Sequence, residues 1–197
     1  MIILASGSPR RKELLSSITT DFEIITSNAD ETPESTVPTS IVEELSRKKG
    51  EEVFERVTES KKIDINKENL IISADTLVFY KDERMGKPKD KEDAIRMIKA
   101  LSGNTHEVIT GVTLTYTNKG KVTRKSFHEI TKVLVYPLSD KEIEEYVASG
   151  EPMDKAGAYA IQGLFGKYIK SIDGEYANVV GLPIARLYHE MKLIMGE

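Results

Sequence analysis

The sequence predicts a mixed α/β fold in which helices flank a twisted sheet. Short apolar runs typical of strands alternate with longer segments whose apolar residues recur at helical spacing. Two long β-type runs, 106–116 and 121–136, are joined by the turn Asn118-Lys119-Gly120, which indicates an antiparallel hairpin. Alternation together with a hairpin favours a mixed sheet. The chain has 197 residues and no internal repeat, so we expect a single domain covering residues 1–197.

The first half of the chain is expected to alternate strands and helices. Residues 1–4 form a short apolar strand, and Ser8 followed by Pro9 is typical of a helix start. Serine accepts a hydrogen bond from the first turn, and proline is tolerated where the N–H would be unpaired. The other elements predicted for this half are a helix over 9–17, a strand over 22–25, a helix over 39–57 and a strand over 70–74 that continues extended to residue 80.

The second half is expected to add further helices around the hairpin. Asp90 is a side chain typical of a helix N-cap, and the segment after it has helical spacing. The elements predicted here are a helix over 91–101, a helix over 140–149, a polar, glycine-rich segment over 150–166, a strand over 167–172 and a closing helix over 183–195.

Composition excludes several kinds of site. The chain has no cysteine, so it has no thiolate nucleophile and no thiolate metal site. Its three histidines lie too far apart in sequence to form a local metal motif. The net charge of −4 and the pI of about 5.6 argue against nucleic acid as the main partner, which would require a clustered basic surface. The N-terminal apolar run is too short for a signal peptide or a membrane span, so we expect a cytoplasmic protein without a membrane partner.

The segment that follows the first strand is suited to binding an anion. A helix N-terminus offers unpaired N–H groups and the positive end of a dipole. Ser6 and Ser8 add hydroxyl groups, Gly7 allows close approach of the backbone, and Arg10 and Arg11 add guanidinium groups that suit phosphate oxygens. The segment therefore predicts a binding site for a polyphosphate. An ordinary capped helix with two solvated arginines is the alternative.

Two acidic residues are candidates for a metal site. Asp75 is expected at the end of the apolar strand, where ligands gather in open α/β sheets, and Glu31 lies in an acidic turn. Oxygen ligands without cysteine or clustered histidine suit Mg²⁺ or Mn²⁺, which one or two carboxylates and substrate phosphates commonly hold. A capping aspartate and a solvated acidic turn are the alternatives.

Two further regions carry polar groups of interest. Pro88 fixes the chain just after Lys87, and Gly86 leaves room beside the backbone, so the Lys87 ammonium could point in a defined direction. A lysine is a suitable point charge for a phosphate, and a solvated lysine is the alternative. Residues 150–163 combine charges, small residues, a tyrosine and a glutamine, and functional residues concentrate in such loops. His106 could act as a base, but a structural role is preferred for it.

Taken together, these segments resemble the Maf family of nucleoside triphosphate pyrophosphatases. The matching motifs occur in the family's order and span nearly the whole chain. They are LASGSPRR (4–11), SADT (73–76), GKP (86–88), SGNTHEVITG (102–111), GEPMDKAGAYAIQG (150–163) and VVGLP (179–183).

The resemblance implies an elongated α/β fold with a central cleft, shared with the inosine triphosphate pyrophosphatases, and a homodimer. It implies a hydrolase of acid anhydrides that converts a nucleoside triphosphate to the monophosphate and pyrophosphate with a divalent metal ion. Asp75 matches the family's proton acceptor. Positions tied to substrate choice match Arg11, Thr76 and Gln162. Other polar cleft positions match Ser6, Arg10, Glu31, Lys49, Lys87, Asp154 and Lys155.

These implied roles give a catalytic hypothesis. The triphosphate would lie along residues 6–11, with Lys87 and Lys49 neutralising the pyrophosphate leaving group. Glu31 and Asp75 would hold Mg²⁺ or Mn²⁺, and Asp75 would either accept the proton of the attacking water or only bind the metal. A nucleotide-binding regulator of cell division is the non-enzymatic alternative, since family members have been linked to septum formation.

The base is expected to be a pyrimidine. A glutamine side chain offers both an acceptor and donors, so Gln162 can pair at once with O4 and N3–H of uracil or thymine. The family's 7-methyl-GTP branch tends to carry glutamate in the matching loop, where two acceptors suit the donors of guanine. We therefore expect preference for dTTP and UTP, with 7-methyl-GTP as the alternative substrate.

Overall fold

The mixed α/β fold predicted from sequence is confirmed. The computed structural model describes residues 1–81 and 83–196. In its first half the elements are β1 (Ile2–Leu4), α1 (Pro9–Ser16), β2 (Glu23–Ile24), α2 (Pro38–Glu59), β3 (Asn69–Tyr80) and β4 (Glu83–Met85). In its second half they are α3 (Lys91–Leu101), β5 (Thr105–Asn118), β6 (Lys121–Val135), α4 (Asp140–Ala148), β7 (Ile169–Asp173), α5 (Tyr176–Val180) and α6 (Ile184–Met195).

The caps and the hairpin turn form as the sequence predicts. The Ser8 side chain accepts a hydrogen bond from the N–H of Arg11, and Asp90 accepts one from the N–H of Asp93. Each therefore satisfies a donor that the first helical turn leaves unpaired. At the β5–β6 turn, Lys119 and Gly120 both have positive φ, the combination that a tight hairpin turn requires.

The strands form one sheet in the order β2-β1-β3-β5-β6-β7, with β4 beside β3. Strand β1 pairs in parallel with both β2 and β3, whereas β3 with β4 and β6 with β7 are antiparallel. The sheet is therefore mixed.

Asp75 does not stand at the end of a strand, which corrects the position expected from sequence. Strand β3 continues without a break from Asn69 to Tyr80, because its second half pairs with β4 through Val78 and Met85. The apolar run that ends at Ala74 marks only the more deeply buried half of the strand. Asp75 therefore emerges from the face of the sheet, and its role cannot be inferred from a strand terminus.

The glycine-rich segment after α4 is also more ordered than expected. It folds into three short 3-10 helices, which are Glu151–Asp154, Ala156–Ala158 and Leu164–Tyr168. Helix α5 had no sequence prediction, and strand β4 includes residues 83 and 84, which were expected to belong to a turn over 81–84; both elements are only a few residues long.

The chain divides into two compact units. Unit 1 contains residues 1–75, 110–129 and 181–197, and unit 2 contains residues 76–109 and 130–180. Unit 1 has two apolar clusters, one around Leu4, Ile72 and Leu114 and the other around Val53 and Ile71. Unit 2 has its own core, in which α3 and α4 pack with the aromatic rings of the 3-10 segment. Among the described residues, none of the helices is both long enough and apolar enough to cross a membrane.

Candidate active site

The predicted anion-binding segment in unit 1 is held in place by Arg11. Its Nε donates to the carbonyl oxygen of Gly181 at 2.8 Å, and its Nη1 donates to the Oγ of Ser6 at 3.2 Å. The same Ser6 Oγ accepts from the N–H of Ser8 at 3.3 Å. The guanidinium, the serine hydroxyl and the helix N-terminus are therefore one connected group of donors.

The Arg11 side chain is half-buried, and its electrostatic surroundings are mixed. Burial lowers its pKa from the ordinary value, and the charge of Arg10 lowers it further. The carboxylates of Asp75 and Glu31 act in the opposite direction, because they favour the charged form. The basic cradle and the acidic pair are therefore close enough to influence each other, which the sequence did not establish.

Lys49 connects the two acidic residues predicted for the metal site. Its Nζ lies 2.6 Å from Oδ1 of Asp75 and 3.0 Å from Oε1 of Glu31. The Asp75 side chain is 9 % exposed and that of Lys49 is 13 % exposed, whereas that of Glu31 is 67 % exposed. The buried charge of Asp75 is thus compensated by a lysine from α2, and Glu31 approaches from the solvent side.

The two carboxylates fit a divalent cation. The second carboxylate oxygen of Asp75, Oδ2, is buried and has no hydrogen-bond partner among the described residues. A buried carboxylate oxygen normally has a partner, so this atom is available to a cation or a water molecule. Glu31 places a second carboxylate against the same ammonium group and could supply another oxygen ligand. No group of three or more histidine, cysteine or acidic side chains suitable for a metal occurs in residues 1–81 and 83–196, so substrate or water would complete the coordination.

The remaining predicted residues belong to unit 2. Thr76 follows Asp75 in β3 and is half-buried, and Lys87 is exposed in the turn after β4. The N–H of Gly157 donates to the carbonyl of Gly86 at 3.0 Å, so the turn that carries Lys87 is joined to the 150–163 segment. In that segment, Asp154 and Lys155 form an ion pair with each other.

Gln162 is exposed at a turn whose backbone is fixed by Glu151. One oxygen of Glu151 accepts from the Tyr146 hydroxyl at 3.0 Å, and the other accepts from the N–H of Leu164 at 2.9 Å. Glu151 therefore fixes the turn through these two hydrogen bonds, while the Gln162 side chain is exposed to solvent. Glu151 was not among the predicted site residues, although its place in the glycine-rich motif could have indicated it.

The surroundings of His106 support the structural role that the sequence analysis preferred for it. It is 2 % exposed, and its Nε2 lies 2.7 Å from the hydroxyl of Tyr159. The Tyr159 ring contacts Phe165 in the core of unit 2. Burial lowers the pKa of His106 to about 4, so the imidazole is neutral at neutral pH.

Gly181 is a residue of the site that the sequence analysis placed only within a motif. It has a φ of 128°, a region that residues with a side chain rarely adopt. This conformation accompanies the carbonyl contact with Arg11. The positive φ could not be read from the sequence, but the presence of a glycine between apolar residues in VVGLP was a signal for it.

A largely buried carboxylate–ammonium pair beside a basic helix N-terminus, on a mixed α/β sheet, is typical of proteins that bind anions of the phosphate type. A family model described as "Maf-like protein" matches residues 1–194. The chain belongs to the Maf family.

Curated relatives agree with this assignment. A protein of Agathobacter rectalis named "dTTP/UTP pyrophosphatase" is 48 % identical over 196 residues, which cover 97 % of this chain and 96 % of the relative. A protein of Lachnoclostridium phytofermentans with the same name is 48 % identical, covering 97 % of this chain and 93 % of the relative. One from Bacillus cereus, also so named, is 44 % identical and covers 97 % and 94 %.

The burial of His106 predicts a pH-dependent stability. In the unfolded chain its pKa returns to about 6.5, so below that pH the unfolded state binds a proton that the folded state excludes. Stability is therefore lost as the pH falls from about 6.5 towards 4, by about 3 kcal/mol for a shift of this size. Urea denaturation at several pH values should show that His106→Gln lacks this component of the pH dependence.

Tyr159→Phe is the matched control for this measurement. It removes the hydroxyl partner but keeps the burial that lowers the pKa of His106, so most of the pH dependence should be retained. The same pH dependence in wild type and His106→Gln would show that His106 titrates normally in the folded protein.

Proposed function

We propose that this protein hydrolyses dTTP and UTP to the monophosphate and pyrophosphate. The observation that carries the proposal is the Lys49 ammonium placed between Asp75 and Glu31. These two carboxylates are close enough to Arg11 for their charges to influence it. Three relatives that match nearly the whole chain carry the name dTTP/UTP pyrophosphatase. No feature of the described residues favours 7-methyl-GTP or a non-catalytic regulator, so both are outcomes of the tests below.

The cradle and the lysines would bind the triphosphate. Ser6, Arg11 and the N-terminus of α1 present donors from one surface of unit 1, and Arg10 adds a second guanidinium. Phosphate oxygens accept such charge-assisted hydrogen bonds strongly. Lys49 and Lys87 would neutralise the charge that develops on pyrophosphate as the bond between the α-phosphorus and the bridging oxygen breaks. We infer that Thr76, Asp154 and Lys155 contribute further polar contacts with the nucleotide.

Asp75 would act on the water that attacks the α-phosphorus. Its Oδ2 is buried without a hydrogen-bond partner among the described residues, while Oδ1 is held by Lys49. A fixed carboxylate with one available oxygen can orient a water molecule and accept its proton. The water oxygen then bonds to phosphorus, and the leaving pyrophosphate takes the bond electrons. The same oxygen could equally serve as a metal ligand.

Glu31 and Asp75 would hold a Mg²⁺ or Mn²⁺ ion, since carboxylate oxygens are the ligands these ions prefer. When bound, such an ion supplies positive charge to the phosphate oxygens. Lys49 sets the distance between the two carboxylates, because one ammonium group contacts both.

Gln162 would select the base. Its amide can donate to O4 and accept from N3–H of thymine or uracil, whereas guanine presents two adjacent donors that an amide cannot both satisfy. A polar mismatch that leaves buried groups unpaired costs a few kcal/mol, which is enough for strong discrimination. The exposed position of Gln162 on a clamped turn supports this role, because the side chain is free to meet a ligand while its backbone is fixed.

The proposal includes a homodimer that acts in the cytoplasm. The family resemblance supports the dimer. The net charge of −4 argues against nucleic acid as the main partner, while the local basic cradle allows a small anionic substrate.

Asp75→Asn tests the catalytic role. The substitution keeps the size of the side chain but removes its charge and its basicity, so kcat for dTTP should fall by at least about 10²-fold. Release of pyrophosphate measures this, and circular dichroism shows whether the fold is kept. Asp64→Asn is the control, because Asp64 only accepts hydrogen bonds from Asn66 within a turn. Near-normal turnover by Asp75→Asn would remove Asp75 from the catalytic step.

A panel of triphosphates tests the role of Gln162. Wild type should hydrolyse dTTP and UTP faster than 7-methyl-GTP and the purine triphosphates. Gln162→Glu places an acceptor against O4, so kcat/KM for the two pyrimidines should fall by roughly ten- to a hundredfold, while the guanine nucleotide gains in relative rate. Faster hydrolysis of 7-methyl-GTP than of dTTP by wild type would refute this role. Binding of the nucleotides without any release of pyrophosphate would favour the regulator.

Removal of metal tests the carboxylate pair. Excess EDTA should abolish the release of pyrophosphate, and Mg²⁺ or Mn²⁺ should restore it. Glu31→Gln should need a higher concentration of metal for half-maximal rate, because one of the two charged ligands is lost. Full activity in the chelator contradicts the assignment of Glu31 and Asp75 as metal ligands.

A further inference from the structure

The position of Lys49 depends on how closely α2 approaches the sheet. The backbone of α2 lies against two strands at points where a glycine removes the side chain. A methyl group at position 50 would lie 2.6 Å from the Oγ of Ser73, and one at position 111 would lie 2.2 Å from the carbonyl oxygen of Val42. Distances below about 3 Å are essentially not found for Cβ atoms, so at each position a Cβ would force the helix or its neighbour to move.

The Ser73 side chain cannot easily rotate away from a larger neighbour, because its hydroxyl group is already hydrogen-bonded. Its Oγ donates to the carbonyl oxygen of Ser46 at 2.7 Å and also lies 3.2 Å from that of Thr113. Ser46 in turn shares a hydrogen bond of 2.8 Å with the hydroxyl of Thr113. Ser46 and Ser73 are fully buried, so rotation of Ser73 would leave buried polar groups unpaired.

The contact between α2 and Ser73 lies next to the ion pair of the active site along both α2 and β3. Ser73 and Asp75 are two residues apart in β3 and therefore point to the same face of the sheet. Gly50 follows Lys49 in α2. The point where α2 touches Ser73 is thus one residue from the lysine that reaches Asp75 and Glu31.

We propose that Gly50 and Ser73 are positioning residues, whose close contact sets the depth of α2 and thereby places the Lys49 ammonium between Asp75 and Glu31. The catalytic part of this inference rests on the proposed function. A helix displaced by a fraction of an ångström would lengthen the 2.6 Å contact between Lys49 and Asp75. Displacements of about 1 Å in a catalytic site can reduce rates by about 10²-fold.

The test is a rescue experiment on pyrophosphate release. Gly50→Ala should lower kcat at least about tenfold, with KM for dTTP changed less than about threefold, because the placement of charge is altered more than the binding surface. Ser73→Ala removes the oxygen that a methyl group at position 50 would meet, leaving the Cβ of residue 73 at 3.4 Å. The double variant Gly50→Ala/Ser73→Ala should therefore return to the kcat of Ser73→Ala alone.

Val57→Ala is the control for a merely structural effect. Val57 is buried in the same helix and belongs to the apolar cluster with Ile71, so its truncation should lower the Tm. It should leave kcat within about twofold of wild type, since it adds no atom between α2 and β3. If Gly50→Ala does not fold, the comparison of the double variant with Ser73→Ala still tests the proposal.

A measurement that needs no activity separates this inference from the proposed function. Lys49→Met and Asp75→Asn, singly and together, should shift the urea midpoint non-additively in the wild-type background, because the residues are in contact. In the Gly50→Ala background the non-additivity should be lost. If wild type released no pyrophosphate but showed this non-additivity and its loss in Gly50→Ala, the proposed function would be overturned and the positioning role would stand. Unchanged kcat in Gly50→Ala, no recovery in the double variant, or retained non-additivity would overturn the positioning role.

Discussion

The structure of unit 1 depends on the need to compensate the buried charge of Asp75. Its side chain is 9 % exposed, and a carboxylate at that depth is stable only with a counter-charge close by. Lys49 supplies that charge at 2.6 Å. Because a lysine from a helix must reach a side chain on the face of the sheet, α2 has to pack closely against β3. The small residues between the two elements follow from this requirement.

The same need for counter-charges explains why acidic and basic side chains lie close together around Asp75. Arg11 is half-buried, and the charges of Asp75 and Glu31 oppose the effect of burial on its pKa, so they favour its charged form. Glu31 in turn is mostly exposed and contacts the same ammonium group as Asp75. The protein is acidic overall, yet this small region combines cationic groups with two carboxylates, as the proposed function requires for a triphosphate and a metal ion.

The sequence predicted the elements with strong local signals better than it predicted the site. Asp90 and the helix after it were predicted to the residue, because the cap and the apolar spacing are local. Asp75 was expected at a strand end, with an extended continuation to residue 80. That residues 69–80 form one strand depends on β4, a pairing that no local pattern reveals. The identity of Lys49 as a site residue came from the family resemblance, and its distance to Asp75 is set by the tertiary packing of α2. The hydrogen bond from Arg11 to the carbonyl oxygen of Gly181 joins residues far apart in the chain, so no local pattern could predict it.

Two basic residues of α2 allow the most direct test of the central claim, that the charge of Lys49 organises the two carboxylates proposed for catalysis. Arg47 pairs with Glu51 at 2.8 Å within the helix, whereas Lys49 pairs with Asp75 and Glu31. Release of pyrophosphate from dTTP should fall by at least about 10²-fold in Lys49→Met, the scale of a lost catalytic charge, and stay within about twofold in Arg47→Met. Equal rates in the two variants, or near-normal turnover by Lys49→Met, would contradict the account.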